Sequence, residues 1–294
     1  MKLNFKKTPL ILGTAQILED YGITNRNIKT KHEAILFIKE IIKLGINVFD
    51  TAKIYRGAHE ALQNSINKDY RKISIIDKIS KNDILSLDKN FFGYWDWVSE
   101  FQSLGGNFCL MLHNGVDYLD LDCRKKLQGL KEIGLIKYIG ISVYEPIHLK
   151  KAIHLGGFDI VQFPMSLADR RFCELSLVNK LNRMNIISHV RSIFLQGLLL
   201  SGVSKNFFYY KYFQEVYKNY DKKFPSYQKK VFLAIQSVIN DIQASIIIGA
   251  ENINQVKDII KAYYSKDSLS KNDLLWSRKI WSGLPRDAID PRKW

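Results

Sequence analysis

Four side chains in this sequence combine residue types and positions that suit proton chemistry. Asp50, Lys78 and His113 each come at the end of a short apolar run that is typical of a buried strand. Tyr55 lies five residues after the first of them, in the loop that must follow. Taken alone, such an acid is most often a turn former, and such a phenol is a packing residue. Three ionisable strand ends beside one phenol favour a shared site instead.

A carboxylate, an ammonium and a phenol together form a proton-donating relay. A free phenol has a pKa near 10 and donates poorly at neutral pH. An adjacent ammonium favours the phenolate, and a carboxylate keeps that ammonium charged and in place. We therefore predict a carbonyl reduction in which Tyr55 is the general acid, assisted by Lys78 and Asp50. A neutral His113 would orient the carbonyl by a hydrogen bond. Since none of these groups supplies hydride, a nicotinamide cofactor is implied.

The elements that must position these residues alternate along the chain. Apolar runs come at residues 10–13, 46–50, 73–78, 108–113, 138–142, 159–164, 186–191 and 245–249. Segments with helical periodicity separate them, which indicates a parallel sheet covered on both faces. Eight such units predict an α/β fold, a (β/α)₈ TIM barrel. An open doubly wound sheet is the alternative, but no GxGxxG follows the first run.

The domain organisation follows from the same rhythm. We predict a single domain over residues 1–294, with the barrel at about 8–262 and an appended C-terminal segment at about 265–294. Residues 207–225, dense in Phe, Tyr and Lys, interrupt the alternation. We interpret them as a long connection, either a loop on the substrate side or a packed surface insertion.

Composition limits the remaining possibilities. With 46% hydrophobic and 25% charged residues, the chain has the balance of a globular protein, and no run reaches the roughly 20 apolar residues that cross a bilayer. The start of the chain does not resemble a signal peptide. Three cysteines without a CxxC motif predict a reducing, cytoplasmic location and no metal site. The net charge of +15 comes from scattered residues, so we predict no nucleic-acid partner.

The sequence resembles the aldo-keto reductases over nearly all of its length. Leu12-Gly13-Thr14-Ala15-Gln16 and Tyr21-Gly22-Ile23 are similar to the opening motifs of bacterial members. The family tetrad is an Asp, a Tyr five residues later, a Lys ending the third strand and a His ending the fourth. The four side chains described above match it in identity, order and spacing. The resemblance implies NADP as the cofactor, with NAD as the alternative.

The resemblance also implies a set of cofactor-binding residues. Those at the nicotinamide carboxamide are Ser142 and Gln162, with Gly13 and Thr14 alongside. Those along the nicotinamide and diphosphate are Arg191, Ser192 and Gln196. Those around the adenosine are Gly249, Ala250, Asn252 and Gln255.

Three departures from the family pattern stand out. Tyr55 is followed by Arg56-Gly57-Ala58-His59-Glu60 in place of the usual glycine and Ser-Glu pair, so this loop is expected to be reshaped. Asp77 replaces a common threonine and is expected to point away from the barrel interior. Glu251 follows the eighth strand where some members carry a lysine, and an inward-facing carboxylate would repel a 2′-phosphate.

Two further expectations concern partners. Lys53, Arg56, Arg170 and Arg171 all follow strand ends, with Asp169 and Glu60 as the obvious opposing acids, so we predict an anionic carbonyl substrate. The alternative for these residues is a solvated surface or contact with cofactor phosphates. The alternative for the whole chain is a cofactor-binding barrel that acts as a sensor or an assembly subunit with little turnover. The sequence does not indicate the substrate's identity, the physiological direction or the oligomeric state.

Overall fold

Eight parallel strands close into a barrel in the computed structural model, which describes residues 10–18, 30–66, 73–86, 92–103, 106–173, 175–267 and 269–294. The strands are β1 (Leu10–Gly13), β2 (Val48–Ala52), β3 (Ser74–Ile79), β4 (Asn107–Leu112), β5 (Tyr138–Ser142), β6 (Ile160–Pro164), β7 (Ile187–Arg191) and β8 (Ser245–Ile248). Each strand pairs with the next, and β1 also pairs with β8. The predicted (β/α)₈ barrel is confirmed.

Helices surround this barrel. They are α1 (Lys31–Lys43), α2 (Ala58–Ser65), α3 (Lys81–Ser86), α4 (Phe92–Ser103), α5 (Leu121–Glu132), α6 (Pro146–Leu155), α7 (Leu175–Arg183), α8 (Leu198–Ser201), α9 (Tyr210–Lys223), α10 (Tyr227–Ile239), α11 (Ile253–Tyr263) and α12 (Lys271–Trp281). Short 3-10 turns span Gly115–Leu119, Arg286–Ile289 and Pro291–Lys293. In the described part of the chain, no helix has both the length and the apolar character needed to span a membrane. The Tyr21-Gly22-Ile23 motif lies outside the described residues.

Helix α1 illustrates how local sequence sets the helix ends and faces. The Thr30 hydroxyl accepts a hydrogen bond from the Glu33 backbone N–H, while the Glu33 carboxylate accepts one from the Thr30 backbone N–H at 2.8 Å. This reciprocal capping box satisfies donors that the first turn leaves unpaired. Ala34, Ile38 and Ile41 recur at helical spacing and are fully buried against the barrel core.

The period of two residues along each strand decides which side chains face inward. An interior cluster fills the barrel with residues that include Ile11, Val48, Ile76, Met111 and Ile247. Two residues after each of them, on the same face and nearer the carboxyl end, comes a residue predicted for the site. In chain order these are Gly13, Asp50, Lys78, His113 and Gly249. The alternation that fills the core therefore also aims the polar groups at the mouth of the barrel.

Residues 207–225 were predicted to be a long connection, either a loop on the substrate side or a packed surface insertion, and the structure shows a packed helical insertion. Most of this segment is helix α9. Phe213 and Tyr220 on its inner face are fully buried and pack against Trp281 of α12, with ring centroids 6.4 and 5.5 Å apart. The spacing of Phe213, Tyr217, Tyr220 and Phe224 is helical, and the surrounding lysines concealed it. The C-terminal segment that holds Trp281 is part of this second apolar cluster.

Candidate active site

A buried ion pair joins two neighbouring strands at the mouth of the barrel. The Lys78 ammonium donates to Asp50 Oδ2, and the two side chains are only 3% and 7% exposed. Gln162 on β6 donates from Nε2 to Asp50 Oδ1 at 2.8 Å. Both carboxylate oxygens are thus satisfied, which offsets part of the desolvation of two buried charges. Asp50 was predicted at the end of its strand, but β2 continues to Ala52, so the strand backbone holds the carboxylate on both sides.

Tyr55 lies over this ion pair from the turn after β2. Its backbone N–H donates to the Ala52 carbonyl at 2.9 Å, which closes the turn. The Lys78 ammonium is 5.7 Å from the centroid of the phenol ring. The His113 ring meets the phenol edge-on, with centroids 6.2 Å apart and planes at 86°. The structure therefore brings the four side chains of the predicted tetrad into one cavity.

His113 directly follows β4 and is anchored by its backbone, whose N–H donates to the Ile79 carbonyl at 2.9 Å. Burial lowers the pKa of this imidazole from 6.5 to about 4, and the positive charge of Lys78 acts in the same direction. The ring is therefore neutral at neutral pH. A neutral imidazole carries one N–H, which suits it to donate a hydrogen bond to a carbonyl oxygen.

Most of the residues predicted for cofactor binding line the same cavity, which extends from the tetrad across β7 and β8. The lining ones are Gly13, Ser142, Gln162, Arg191, Ser192, Gln196, Gly249 and Gln255. Gln162 donates an amide N–H to Asp50, and its carbonyl oxygen can accept a hydrogen bond from another partner. Within the described residues, no group of three His, Cys, Asp or Glu side chains is placed to hold a metal ion.

Three predicted cofactor residues do not line the cavity. The Thr14 hydroxyl donates to Thr51 Oγ1 at 2.9 Å and ties the end of β1 to β2. Ala250 is buried in the main core. Asn252 caps α11, where its side-chain oxygen accepts from the Gln255 backbone N–H at 3.0 Å. The structure thus gives these three residues supporting contacts around the cavity wall.

Gly249 lies in close contact with the side chain of Gln16. A Cβ atom there would come within 2.3 Å of Gln16 Oε1. Gln16 lines the cavity, whereas the sequence analysis placed it only in an opening motif. The tight contact brings the loop after β1 directly against the end of β8.

Other lining residues were also missed from the sequence. They are Ala15, Tyr144, Ile193, Phe194, Gly197, Leu200, Ser201, Tyr227, Ile247 and Ile259. Tyr144 could have been found, because it continues the two-residue period of Gly140 and Ser142 beyond the end of β5. Glu251 does belong to the cavity wall, so the carboxylate noted after the eighth strand stands where it could meet a ligand.

The loop from β7 to α8 has an unusual backbone. Ser192, Leu195 and Gln196 have φ values of 61°, 49° and 52°, and Gly197 follows at 92°. Positive φ is costly for residues that carry a Cβ, and such strain concentrates at ligand sites. Ser192, Gln196 and Gly197 all line the cavity, so the strained segment forms part of its wall.

The basic residues expected at the mouth are largely neutralised. Lys53 forms an ion pair with Asp83, and Arg170 pairs with Asp241 at 2.8 Å. Arg171 pairs with Asp169 at 2.6 Å. The predicted preference for an anionic substrate required an open positive rim, and three of the four basic residues instead pair with carboxylates.

The sequence is similar to those of known proteins. The sequence model of the aldo/keto reductase family matches residues 9–105. The uncharacterized oxidoreductase YqkF of Bacillus subtilis (strain 168) is 26% identical over 279 residues, which cover 85% of this chain and 89% of the relative. The predicted resemblance to the aldo-keto reductase family is confirmed.

Solved structures extend the comparison to the whole barrel. The holo form of the aldo-keto reductase AKR11C1 from Bacillus halodurans superposes with a TM-score of 0.72 at 20% identity, covering 95% of each chain. The glycerol dehydrogenase AKR11B4 from Gluconobacter oxydans gives a TM-score of 0.67 at 15% identity, covering 92% of this chain and 90% of that one. At these identities the structures establish the shared fold.

Proposed function

With its relationship to the aldo-keto reductase family as the premise, we propose that this chain reduces an aldehyde, ketone or sugar carbonyl to the alcohol with a reduced nicotinamide cofactor. One observation carries the proposal. The buried Asp50–Lys78 pair, the phenol of Tyr55 and a neutral His113 face a single cavity at the carboxyl ends of the strands. Active sites of (β/α)₈ barrels form at that end.

Each side chain of the tetrad has a role that its surroundings support. Tyr55 donates its phenolic proton to the carbonyl oxygen as the alcohol forms. Lys78 supplies the adjacent positive charge, which stabilises negative charge on the phenol oxygen once the proton has left. Asp50 keeps that ammonium in place. His113 donates a hydrogen bond to the same carbonyl oxygen and orients the carbonyl for attack.

The cavity fits a dinucleotide by the chemistry of its donors. Ser142 and Gln162 present hydroxyl and amide groups suited to a carboxamide. Ser192 and Gln196 extend the polar wall along the strained loop, and Gln255 also lines the cavity. When bound there, a reduced nicotinamide would supply the hydride that the carbonyl carbon accepts.

The choice between the two nicotinamide cofactors depends on Glu251. The family resemblance implies NADP, whose 2′-phosphate is bound by cationic or neutral donors. A carboxylate instead accepts hydrogen bonds from the free ribose hydroxyls of NAD and repels a phosphate. Because Glu251 lines the cavity, we expect NADH to bind at least as tightly as NADPH.

A cofactor titration followed by a panel of carbonyl compounds tests this proposal. We expect NADH or NADPH fluorescence to change on binding, and at least one aldehyde, ketone or sugar to be reduced with consumption of the cofactor. Tight cofactor binding with no turnover across the panel would favour the sensor or assembly alternative. Failure to bind either cofactor would reject both. The predicted cytoplasmic location stays a prediction that cell fractionation can check.

A further inference from the structure

Arg191 places an uncompensated positive charge on the wall of the cavity. It is the last residue of β7 and is half-buried. Among the residues that the structure describes, Lys78 pairs with Asp50, whereas Arg191 forms no ion pair with a carboxylate. Its hydrogen bond to the Val143 carbonyl is long, at 3.4 Å, and therefore weak. A partly desolvated guanidinium with so few partners is poised to bind an anion.

Tyr144 holds this guanidinium in position. The Arg191 guanidinium carbon lies 4.0 Å from the centroid of the Tyr144 ring, and that of Arg292 lies 3.8 Å from the same centroid. The Tyr144 ring therefore contacts both guanidinium groups. Such cation–π stacking fixes the plane of a guanidinium and leaves its edge available.

The carboxylates near this stack are already committed. Glu145, next to Tyr144, forms ion pairs with Arg171 at 3.2 Å and with Arg286 and Arg292. Asp290 is only 3% exposed and accepts two hydrogen bonds from the Arg292 side chain, one of them at 2.8 Å from Nε. The C-terminal segment thus neutralises its own charges around the stack and leaves that of Arg191 for a ligand.

Arg191 is also close to the reacting groups. Both Arg191 and His113 line the same cavity. A ligand group held by the guanidinium edge would therefore lie in the cavity that receives the carbonyl.

We propose that Arg191 binds an anionic oxygen, a carboxylate or phosphate of the carbonyl substrate, and so selects acidic aldehydes or ketones. The inference rests on the proposed function and names the substrate class for that site. It also replaces the basic rim as the reason to expect an anionic substrate. A second source of the same chemistry is the diphosphate of the cofactor, to which the family resemblance assigns Arg191. The planar fork of a guanidinium can engage two oxygens of either group at once.

The first arm of the test compares matched substrates with cofactor saturating. Succinic semialdehyde is compared with butanal, and glyceraldehyde phosphate with glyceraldehyde. We expect the wild type to favour the anionic member in kcat/KM, and Arg191→Gln to reduce that preference by about 10- to 100-fold, as for a lost charged hydrogen bond. Arg191→Lys keeps the charge without the planar fork and should lie between them. Arg183→Gln, an exposed change of equal charge on α7, should match the wild type.

The second arm measures binding without turnover. Succinate is titrated into the enzyme–cofactor complex, and the dissociation constant of the cofactor is measured separately by its fluorescence. We expect Arg191→Gln to weaken succinate about tenfold or more while cofactor affinity changes less than about threefold. Thermal unfolding of each variant checks that it is folded.

The outcomes separate the two sources. If Arg191→Gln weakens the cofactor and leaves the substrate preference unchanged, the anion is the diphosphate and the substrate subsite is overturned. If neither changes, Arg191 binds no anion. If the wild type reduces no carbonyl compound, the proposed function fails, and the succinate titration alone then decides whether Arg191 binds a small carboxylate.

Discussion

The two faces of the barrel wall carry nearly the same set of chemical groups with different surroundings. On the inner face, Asp50 of β2 stands with Tyr55 and His113. On the outer face, Asp77 of β3 is fully buried and contacts His59 and Tyr94. The His59 Nε2 atom lies 2.9 Å from Asp77 Oδ1, and the Tyr94 hydroxyl donates to Oδ2 at 2.7 Å. A carboxylate, a phenol and an imidazole therefore meet on both sides.

The difference lies in the ammonium and the cavity. The inner carboxylate is paired with Lys78, and its phenol lines an open cavity. The described hydrogen-bond partners of Asp77 are His59 and Tyr94, and none of these three residues lines that cavity. Burial, followed by the charge of Asp77, raises the pKa of Tyr94 well above 10, so this phenol keeps its proton. The contacts of His59 and Tyr94 with Asp77 attach α2 and α4 to the barrel wall. Residue types alone therefore do not define an active site.

Replacing the tyrosine on each face should give the largest difference between the two faces. Tyr55→Phe should lower kcat by ~10²–10⁴-fold, the usual contribution of general acid catalysis, because the proton donor is removed. Tyr94→Phe should leave kcat nearly unchanged and lower the melting temperature, because it removes a donor from a buried carboxylate. Steady-state kinetics and thermal unfolding of both variants provide the measurement. Wild-type turnover in Tyr55→Phe would remove this residue from the mechanism.

The inner ion pair offers the next largest effect. Lys78→Met should lose most of its activity, and Asp50→Asn should lower kcat by about 10²-fold and shift its pH profile, because the relay then lacks a charge. The matched change on the other face, Asp77→Asn, should leave the pH profile of kcat unchanged. An Asp50→Asn variant with unaltered rate and pH profile would contradict the relay, even if Tyr55 remained the acid.

The barrel and the inner-face positions of Asp50 and Lys78 could be predicted from the sequence because both follow from local periodicity. Apolar runs separated by helices identify a parallel barrel, and the two-residue period places Asp50 and Lys78 on its inner face. Asp77 was likewise expected to point outward, and it does. Its contacts with His59 and Tyr94 could not be predicted, because those residues come from separate helices.

Other features depended on proximity between distant parts of the chain. Arg170 pairs with Asp241, a residue 71 positions away, and no sequence pattern links the two. The helix α9 was hidden because its apolar residues are embedded among lysines and tyrosines. The stack of Arg191 and Arg292 on Tyr144 joins β7, the loop after β5 and the C-terminal turn, which only the folded chain brings together.

The outer carboxylate should matter for stability rather than for rate. In Asp77→Asn, one of the two side-chain oxygens becomes an amide NH₂, so this fully buried side chain keeps only one oxygen that can accept a hydrogen bond. We expect a loss of about 1–3 kcal/mol in the free energy of unfolding, the usual penalty for an unsatisfied buried group. Denaturant unfolding measures this loss, and kcat should stay within about threefold of the wild type, since no reacting group is touched. A rate defect larger than the stability defect would give the outer set a part in catalysis.

The smallest effect concerns His189, a fully buried imidazole on β7. Burial lowers its pKa to about 4, with Asp50 opposing the shift and Lys78 adding to it. In the unfolded chain the ring has a pKa near 6.5, so between these values the unfolded state binds a proton that the folded state does not. Stability must therefore fall as the pH drops from about 6.5 towards 4, and this ring accounts for roughly 2 kcal/mol of the loss between pH 7 and pH 5. His189→Gln should remove that share, whereas His32→Gln, an exposed change on α1, should keep the wild-type slope. Denaturant unfolding at pH 7 and pH 5 measures the change in the free energy of unfolding for each variant. If that change were the same in His189→Gln and the wild type, the His189 ring would take up its proton equally well in the folded and unfolded states.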